Sequence, residues 1–373
     1  MKFFLKQLNI QSKAYFLLCI IIVFNKNLFA YENPFLNTTA TTYADSMAKK
    51  MIAEISLKEK ISMLSGDKFF KLKSGIPFIF KGHLPNATIH KPAKKYHLPA
   101  LIFTDGPRGV VTKPQTNFPA PITRACTWNP LLEEQVGIAM GTEATFAGAN
   151  LIGAPCINLL RHPANGRAQE SYGEDSYLVS QFGTALVRGI QEKGVISCVK
   201  HFALNSIENT RYTVDVQISE KVLNEIYLPH FKACIDVGAA SIMSAYNKVN
   251  GKYCAENDSL LTTTLRKQLG FKGFVQSDWD FGVRSTGSSL QAKMNVEMPY
   301  PKFYKPKNIK EAIVNNEITS STINDLVYDI LYNRFLFQFI NQEKIRPKPN
   351  YEQHNFLAKR ICEEGTVLLK NEK

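Results

Sequence analysis

From residue 100 onward, short apolar runs recur along the chain, and each one leads into polar or charged residues. Ala100-Leu101-Ile102-Phe103 leads into Thr104-Asp105-Gly106, and Ile157-Asn158-Leu159-Leu160 into Arg161-His162. Val195-Ile196-Ser197-Cys198-Val199 leads into Lys200-His201, and Ser241-Ile242-Met243 into Ser244-Ala245-Tyr246-Asn247. The last two are Phe274-Val275 into Ser277-Asp278-Trp279 and Asn295-Val296 into Glu297-Met298-Pro299. Helical patterns at 131–148, 177–193, 220–237 and 259–269 lie between them. Near-continuous apolar strands alternating with helices predict a parallel α/β architecture, with strands buried on both faces. Polar residues gathered where strands end predict a (β/α)8, TIM-like barrel whose site lies at the C-terminal rim. A doubly wound sheet would gather its ligands at one switch point, often beside a glycine-rich phosphate loop. The chain has neither Gly-x-Gly-x-x-Gly nor a Walker motif, and at least five strand ends carry candidate residues. The barrel is the better reading.

Upstream, Met47, Met51, Ile52, Ile55, Ile61 and Leu64 recur at helical spacing from about Ser46, and Ser56-Leu57-Lys58-Glu59 forms a capping box. Residues 69–96, rich in Pro, Gly and Lys, read as a long surface loop. At the N-terminus Lys2, Lys6 and Lys13 precede an apolar run at 14–24, and Leu28-Phe29-Ala30 offers a cleavage site. Eleven apolar residues are too few to span a bilayer, so 1–30 reads as a signal peptide and the protein as exported, periplasmic or secreted. The division that follows is 1–30 leader, 31–45 linker, 46–340 barrel, and 341–373 linker plus the first segment of a further domain.

Composition narrows the classes of function. The 373 residues are 45% apolar and 21% charged, as in a globular protein. The net charge is +13; residues 1–30 hold four lysines and no acids, leaving 13 − 4 = +9 after the leader. The remaining lysines are scattered, with no basic helix or aromatic-interleaved stripe, which argues against nucleic acid. No membrane association is expected once the leader is removed. Of seven cysteines, Cys19 lies in the leader, and the others show no Cys-x-x-Cys or Cys/His spacing. No metal site and no cofactor are expected. Cys156, Cys198 and Cys234 sit in apolar runs and read as core; export permits disulfides without identifying pairs.

Asp278 and Trp279 suit sugar chemistry, because an indole stacks on the apolar face of a pyranose while a carboxylate attacks the anomeric carbon. The structural alternative for Asp278 is a helix cap. Asp105 and the Lys200-His201 pair suit vicinal hydroxyls, Arg167 adds a fork of donors, and Tyr246 a phenol near the reacting centre. Each has its own alternative. Asp105 suits a turn before Gly106, Arg167 an ion pair with Glu170 or Glu174, and His201 a satisfied core position. A third chemistry would use Lys200 as a Schiff-base lysine, which requires a lowered pKa.

Five ordered motifs carry a resemblance. They are Thr104-Asp105-Gly106-Pro107-Arg108-Gly109, 158–167 with Glu170-Ser171-Tyr172-Gly173-Glu174-Asp175, Lys200-His201-Phe202, 243–251, and Ser277-Asp278-Trp279. Together they resemble the N-terminal barrel of family 3 glycoside hydrolases, the β-glucosidase branch above all, from about Met47 to the C-terminus. The resemblance implies a retaining exo-β-glycosidase acting on a β-glucoside or oligosaccharide, with Asp278 as nucleophile. It implies that Asp105, Arg167, Lys200 and His201 hold the terminal sugar, Tyr246 orients the nucleophile, and Trp279 is a platform. Arg211 would support the Lys200 loop. In that branch the acid/base glutamate comes from a second α/β sandwich domain, whose opening 356–371 resembles before the chain stops at Lys373. The expectation is a barrel with its second domain truncated, or completed by a separate chain. The single-domain members, β-N-acetylhexosaminidases, use a loop histidine instead. The corresponding stretch here, Ala203-Leu204-Asn205-Ser206-Ile207-Glu208, lacks it, and spacing does not mark Glu208 as a substitute. A non-catalytic sugar-binding remnant, or a fragment of a split β-glucosidase, is the competing reading.

Overall fold

Six strands order side by side in a computed structural model that describes residues 31–67, 87–91, 93–112, 114–341 and 348–372. They are β1 (Ala87–His90), β2 (Leu101–Asp105), β3 (Leu151–Gly153), β4 (Ile196–Phe202), β5 (Ser241–Ser244) and β6 (Phe274–Ser277). From β2 to β6 every pairing is parallel, in chain order. Two short segments close the ring. Val296 bridges Gln276 in parallel, and Glu297 bridges Ser65 in parallel. The Asp67 amide then donates to the Thr88 carbonyl of β1 at 3.0 Å. The result is a TIM-like barrel with one departure, since β1 runs antiparallel to β2. Strand β1 falls inside the stretch read as a surface loop, whose residues 69–86, like the leader 1–30, lie outside the described residues.

Helices coat the ring. Helix α1 (Thr38–Glu54) starts at an Asn37 cap and buries Ala40, Ala44, Ala48 and Met51. Helix α2 (Leu57–Ser62) begins with the expected capping box, Ser56 with Glu59. The described elements belong to one compact unit, Pro34–Lys373. The reading of 31–45 as a linker is therefore corrected: small residues four apart gave a weak signal, and packing made it a helix. Tyr43 of α1 meets Phe339 of the long helix at Ser320–Ile340 with ring centroids 5.0 Å apart. In the tail, read as a linker plus the first segment of a further domain, a helix forms. The helix at Tyr351–Gly365 docks on the barrel, where His354 Nδ1 meets the buried Glu143 Oε1 at 2.6 Å.

The pattern at 220–237 is likewise broken. A π-turn at Leu223–Tyr227 precedes a helix starting at Pro229, because proline cannot donate to the preceding turn. That second helix, Pro229–Asp236, buries His230 at 1% exposure, and His230 Nδ1 has no hydrogen-bond partner among the described residues. Burial pushes its pKa down from 6.5 to about 3. Between those values the unfolded chain binds a proton that the folded chain refuses. Stability contributed by the neutral ring is therefore lost as pH falls below 6.5, with a slope of about 1.4 kcal/mol per pH unit. Urea unfolding from pH 7 to 4 should show His230→Phe flattened by that slope. An unchanged slope would mean the ring is not held neutral.

Two helices, Pro130–Ala147 and Ser176–Glu192, cross where glycines let their backbones touch. A Cβ on Gly189 would lie 2.2 Å from the Glu134 carbonyl oxygen, and one on Gly137 2.7 Å from that of Leu186. Gly189→Ala is expected to cost about 1–3 kcal/mol, measured by denaturant unfolding, because neither carbonyl is free to move away. No helix among the described residues is long and apolar enough to cross a membrane. All six cysteines among them are unpaired, with Cys156, Cys198, Cys234 and Cys254 buried.

Candidate active site

Strand β6 is buried throughout and delivers Asp278 to the rim. Asp278 Oδ1 accepts from its neighbour's amide, Trp279 N, at 2.8 Å, while Oδ2 is buried and has no hydrogen bond among the described residues. Gly282 permits the sharp turn that follows, since a Cβ there would lie 2.4 Å from the Asp278 carbonyl oxygen. The Trp279 ring packs on Phe103 of β2 at 4.6 Å between centroids. These residues wall a cavity of about 540 Å³ that also takes in Asp105, Arg167, Glu170, Lys200, His201, Glu208, Arg211 and Tyr246. All seven residues singled out from sequence thus converge on one pocket.

The pocket is built from charge pairs. Lys200 Nζ, 1% exposed as a residue, donates to Asp105 Oδ1 at 2.5 Å. Glycine at 153 makes room, because a Cβ there would lie 2.6 Å from that same oxygen. Asp105 Oδ1 also accepts the Gly106 amide at 2.9 Å, so its turn role and its pocket role coexist. Burial, the strongest single influence, lowers the Lys200 pKa, but Asp105, Glu170 and Cys156 together outweigh it and the net shift is upward. A raised pKa removes the Schiff-base reading of Lys200.

Arg167 is fixed twice, by Glu170 Oε2 at 2.6 Å and by His201 Nε2 at 2.8 Å. His201 is neutral: burial, then the nearby Arg167, Lys200 and Arg211, hold its pKa well below 6.5. Its Nδ1 lies 3.1 Å from Asn158 Oδ1, which assigns the proton to Nδ1 and leaves Nε2 as an acceptor for Arg167. The 3.5 Å approach of Nε2 to Asp278 Oδ2 is therefore not an ion pair. Burial raises the Asp278 carboxyl above 3.8, and Arg167 and Lys200 pull it partly back. The Tyr246 hydroxyl donates to the Trp279 carbonyl at 2.8 Å, and burial with the adjacent Asp278 charge pushes its own pKa up.

Glu170 and Glu208 are charged pocket residues to which the sequence assigned no role in the site. Both carried a signal, an arginine three positions away. Arg167 pairs with Glu170, and Arg211 NH1 reaches Glu208 Oε2 at 2.9 Å. Arg211 lines the pocket itself, with its guanidinium 4.8 Å from the Tyr246 ring centroid.

An α/β barrel whose C-terminal rim carries a buried carboxylate, an indole and paired cations defines a glycoside hydrolase barrel. Residues 84–332 match the glycosyl hydrolase family 3 N terminal domain, and the chain belongs to that family. It is 33% identical over 338 residues to thermostable β-glucosidase B of Acetivibrio thermocellus, covering 87% of this chain and 42% of that protein. It is 31% identical over 341 residues to a β-glucosidase of Rhizobium radiobacter, covering 87% and 39%. Among solved structures, β-glucosidase 3B from Thermotoga neapolitana, in complex with glucose, superposes with a TM-score of 0.78 at 32% identity, covering 88% and 48%. A β-glucosidase from Streptomyces venezuelae, in complex with D-glucose, does so at 0.78 and 29%, covering 87% and 42%. The chain spans less than half the length of each of these relatives.

Proposed function

We propose that this barrel is the sugar-binding and nucleophile-bearing part of a retaining exo-β-glycosidase that acts on terminal, non-reducing β-D-glucosyl residues. The observation that carries the reading is Asp278, whose Oδ2 is left without a hydrogen bond among the described residues, in a pocket held by Arg167, Lys200 and His201. In the first step Asp278 Oδ2 would form a bond to the anomeric carbon as the bond to the leaving oxygen breaks; water then hydrolyses the ester. Asp105, Lys200, Arg167 and His201 would bind the ring hydroxyls, Tyr246 would keep the loop of Asp278 and Trp279 in place, and Trp279 would stack on the sugar. Glucose is carried over from the relatives' names and bound sugars.

The proton donor is a separate matter. Each other pocket carboxylate is already held by a cation: Asp105 by Lys200, Glu170 by Arg167 and Glu208 by Arg211. We assign the general acid/base to a carboxyl from outside these residues, on a further segment or a separate chain. Export, from the features of 1–30, belongs to the same proposal.

The test is intact mass spectrometry after incubation with a 2-deoxy-2-fluoro-β-D-glucoside bearing a dinitrophenyl leaving group. One fluoroglucosyl adduct, mapped to Asp278, is expected. Folded protein that binds glucose without forming an adduct would favour a sugar-binding remnant.

A further inference from the structure

Beyond the pocket wall runs a row of aromatic rings that the sugar site leaves unused. Tyr212 stands edge-on to Tyr246, with centroids 4.8 Å apart, and Phe281 stands edge-on to Tyr212 at 5.2 Å. Tyr212 is 37% exposed and Phe281 45%. Because Tyr246 lines the pocket and Tyr212 and Phe281 do not, the row leads outward from the site.

Cations back this row. Arg284 donates to the Tyr212 carbonyl at 3.1 Å, and its guanidinium lies 4.8 Å from the Tyr253 centroid and 5.8 Å from that of Phe281. Lys302, an exposed residue, places its Nζ 5.2 Å from the Phe281 centroid. Arg211 is neutralised by Glu208, but Arg284 and Lys302 form no ion pair among the described residues. The acids nearby are engaged elsewhere. Asp280 takes the Tyr300 hydroxyl, and Glu297 accepts the backbone amides of Lys302, Phe303 and Tyr304. Glu297 reduces the field of Lys302 without pairing with it.

We propose that Tyr212, Phe281, Arg284 and Lys302 form an aglycone site for an aromatic group that bears an anionic substituent. The proposal rests on the pocket being a glucoside site. The aglycone leaves the anomeric carbon, and an aromatic one lying past Tyr246 finds exposed rings to pack against. A carboxylate on that ring meets the guanidinium donors that Arg284 does not spend on the Tyr212 carbonyl, and an ammonium with no ion-pair partner among the described residues. A neutral, aliphatic aglycone uses neither feature.

Calorimetric titration of the full chain with three unreactive ligands tests this: glucose, 4-carboxyphenyl 1-thio-β-D-glucoside and its neutral 4-carbamoyl counterpart. The carboxylate should bind about fivefold tighter than the carboxamide, the scale of partly exposed charge pairs, and lose that margin in high salt. Lys302→Gln, at an exposed position, should shrink the margin, and Arg284→Gln with Lys302→Gln should abolish it while glucose binds as before. Equal affinity for the two aryl ligands, with glucose still bound, would overturn the aglycone site alone. Failure of glucose and both aryl ligands to bind folded protein would overturn the reading of the pocket as well.

Discussion

Asp278→Asn is expected to lower turnover of an activated aryl β-glucoside at least about a thousandfold and to abolish the fluoroglucosyl adduct. An amide oxygen cannot form the glycosyl ester, whereas its size and its bond from the Trp279 amide are kept. Glucose affinity should therefore change little, which separates a lost nucleophile from a lost fold. The wild-type pH profile carries a second signature. Glycosylation needs the carboxylate, and burial raises the Asp278 pKa above 3.8. The rate should fall as pH drops through that raised value, so its acid limb lies higher than an exposed aspartate would give. An adduct that persists in Asp278→Asn, mapped to another residue, would reassign the nucleophile.

Cellobiose is expected to react with this chain alone about 10²–10⁴ times more slowly than a dinitrophenyl glucoside, the range attributed to general acid catalysis. Dinitrophenolate leaves without a proton; a sugar alkoxide does not. Within the pocket, Lys200, Arg167 and Arg211 each hold a carboxylate other than Asp278 in an ion pair. Glu208 is the nearest to an exception, because burial raises its pKa against the pull of Arg167 and Arg211. The measurement is kcat/KM for both substrates with and without Glu208→Gln. Equal turnover of the two substrates would place a proton donor inside the barrel, and loss of that turnover in Glu208→Gln would identify it.

Much of the rim was legible because barrel strands end abruptly. An apolar run that stops at Asp105, at Lys200-His201 or at Asp278 marks both the end of a buried strand and a residue facing the pocket. The same directness applies to contacts three residues apart, such as the Ser56–Glu59 capping box and the Arg167–Glu170 pair. These depend on local geometry, which a short stretch of chain specifies by its own period and chemistry.

Other features had no local signature. Ring closure through 65–67 and 295–297 rests on single bridges, too short to show any period. The antiparallel direction of β1 is a matter of how the chain returns to the ring, and four or five residues of strand read alike in either direction. Helix Thr38–Glu54 presents mainly alanines to its neighbour, and only the long helix at Ser320–Ile340 turns that weak stripe into a buried face. Residue types along the chain thus decided which elements form and which side chains reach the rim. The electrostatics came from the fold: Lys200 and Asp105 are 95 positions apart, and their 2.5 Å contact exists because the barrel closes. The neutral His201 and the raised Asp278 follow from the same closure, since a pKa is set by neighbours and burial, and both are properties of the assembled structure.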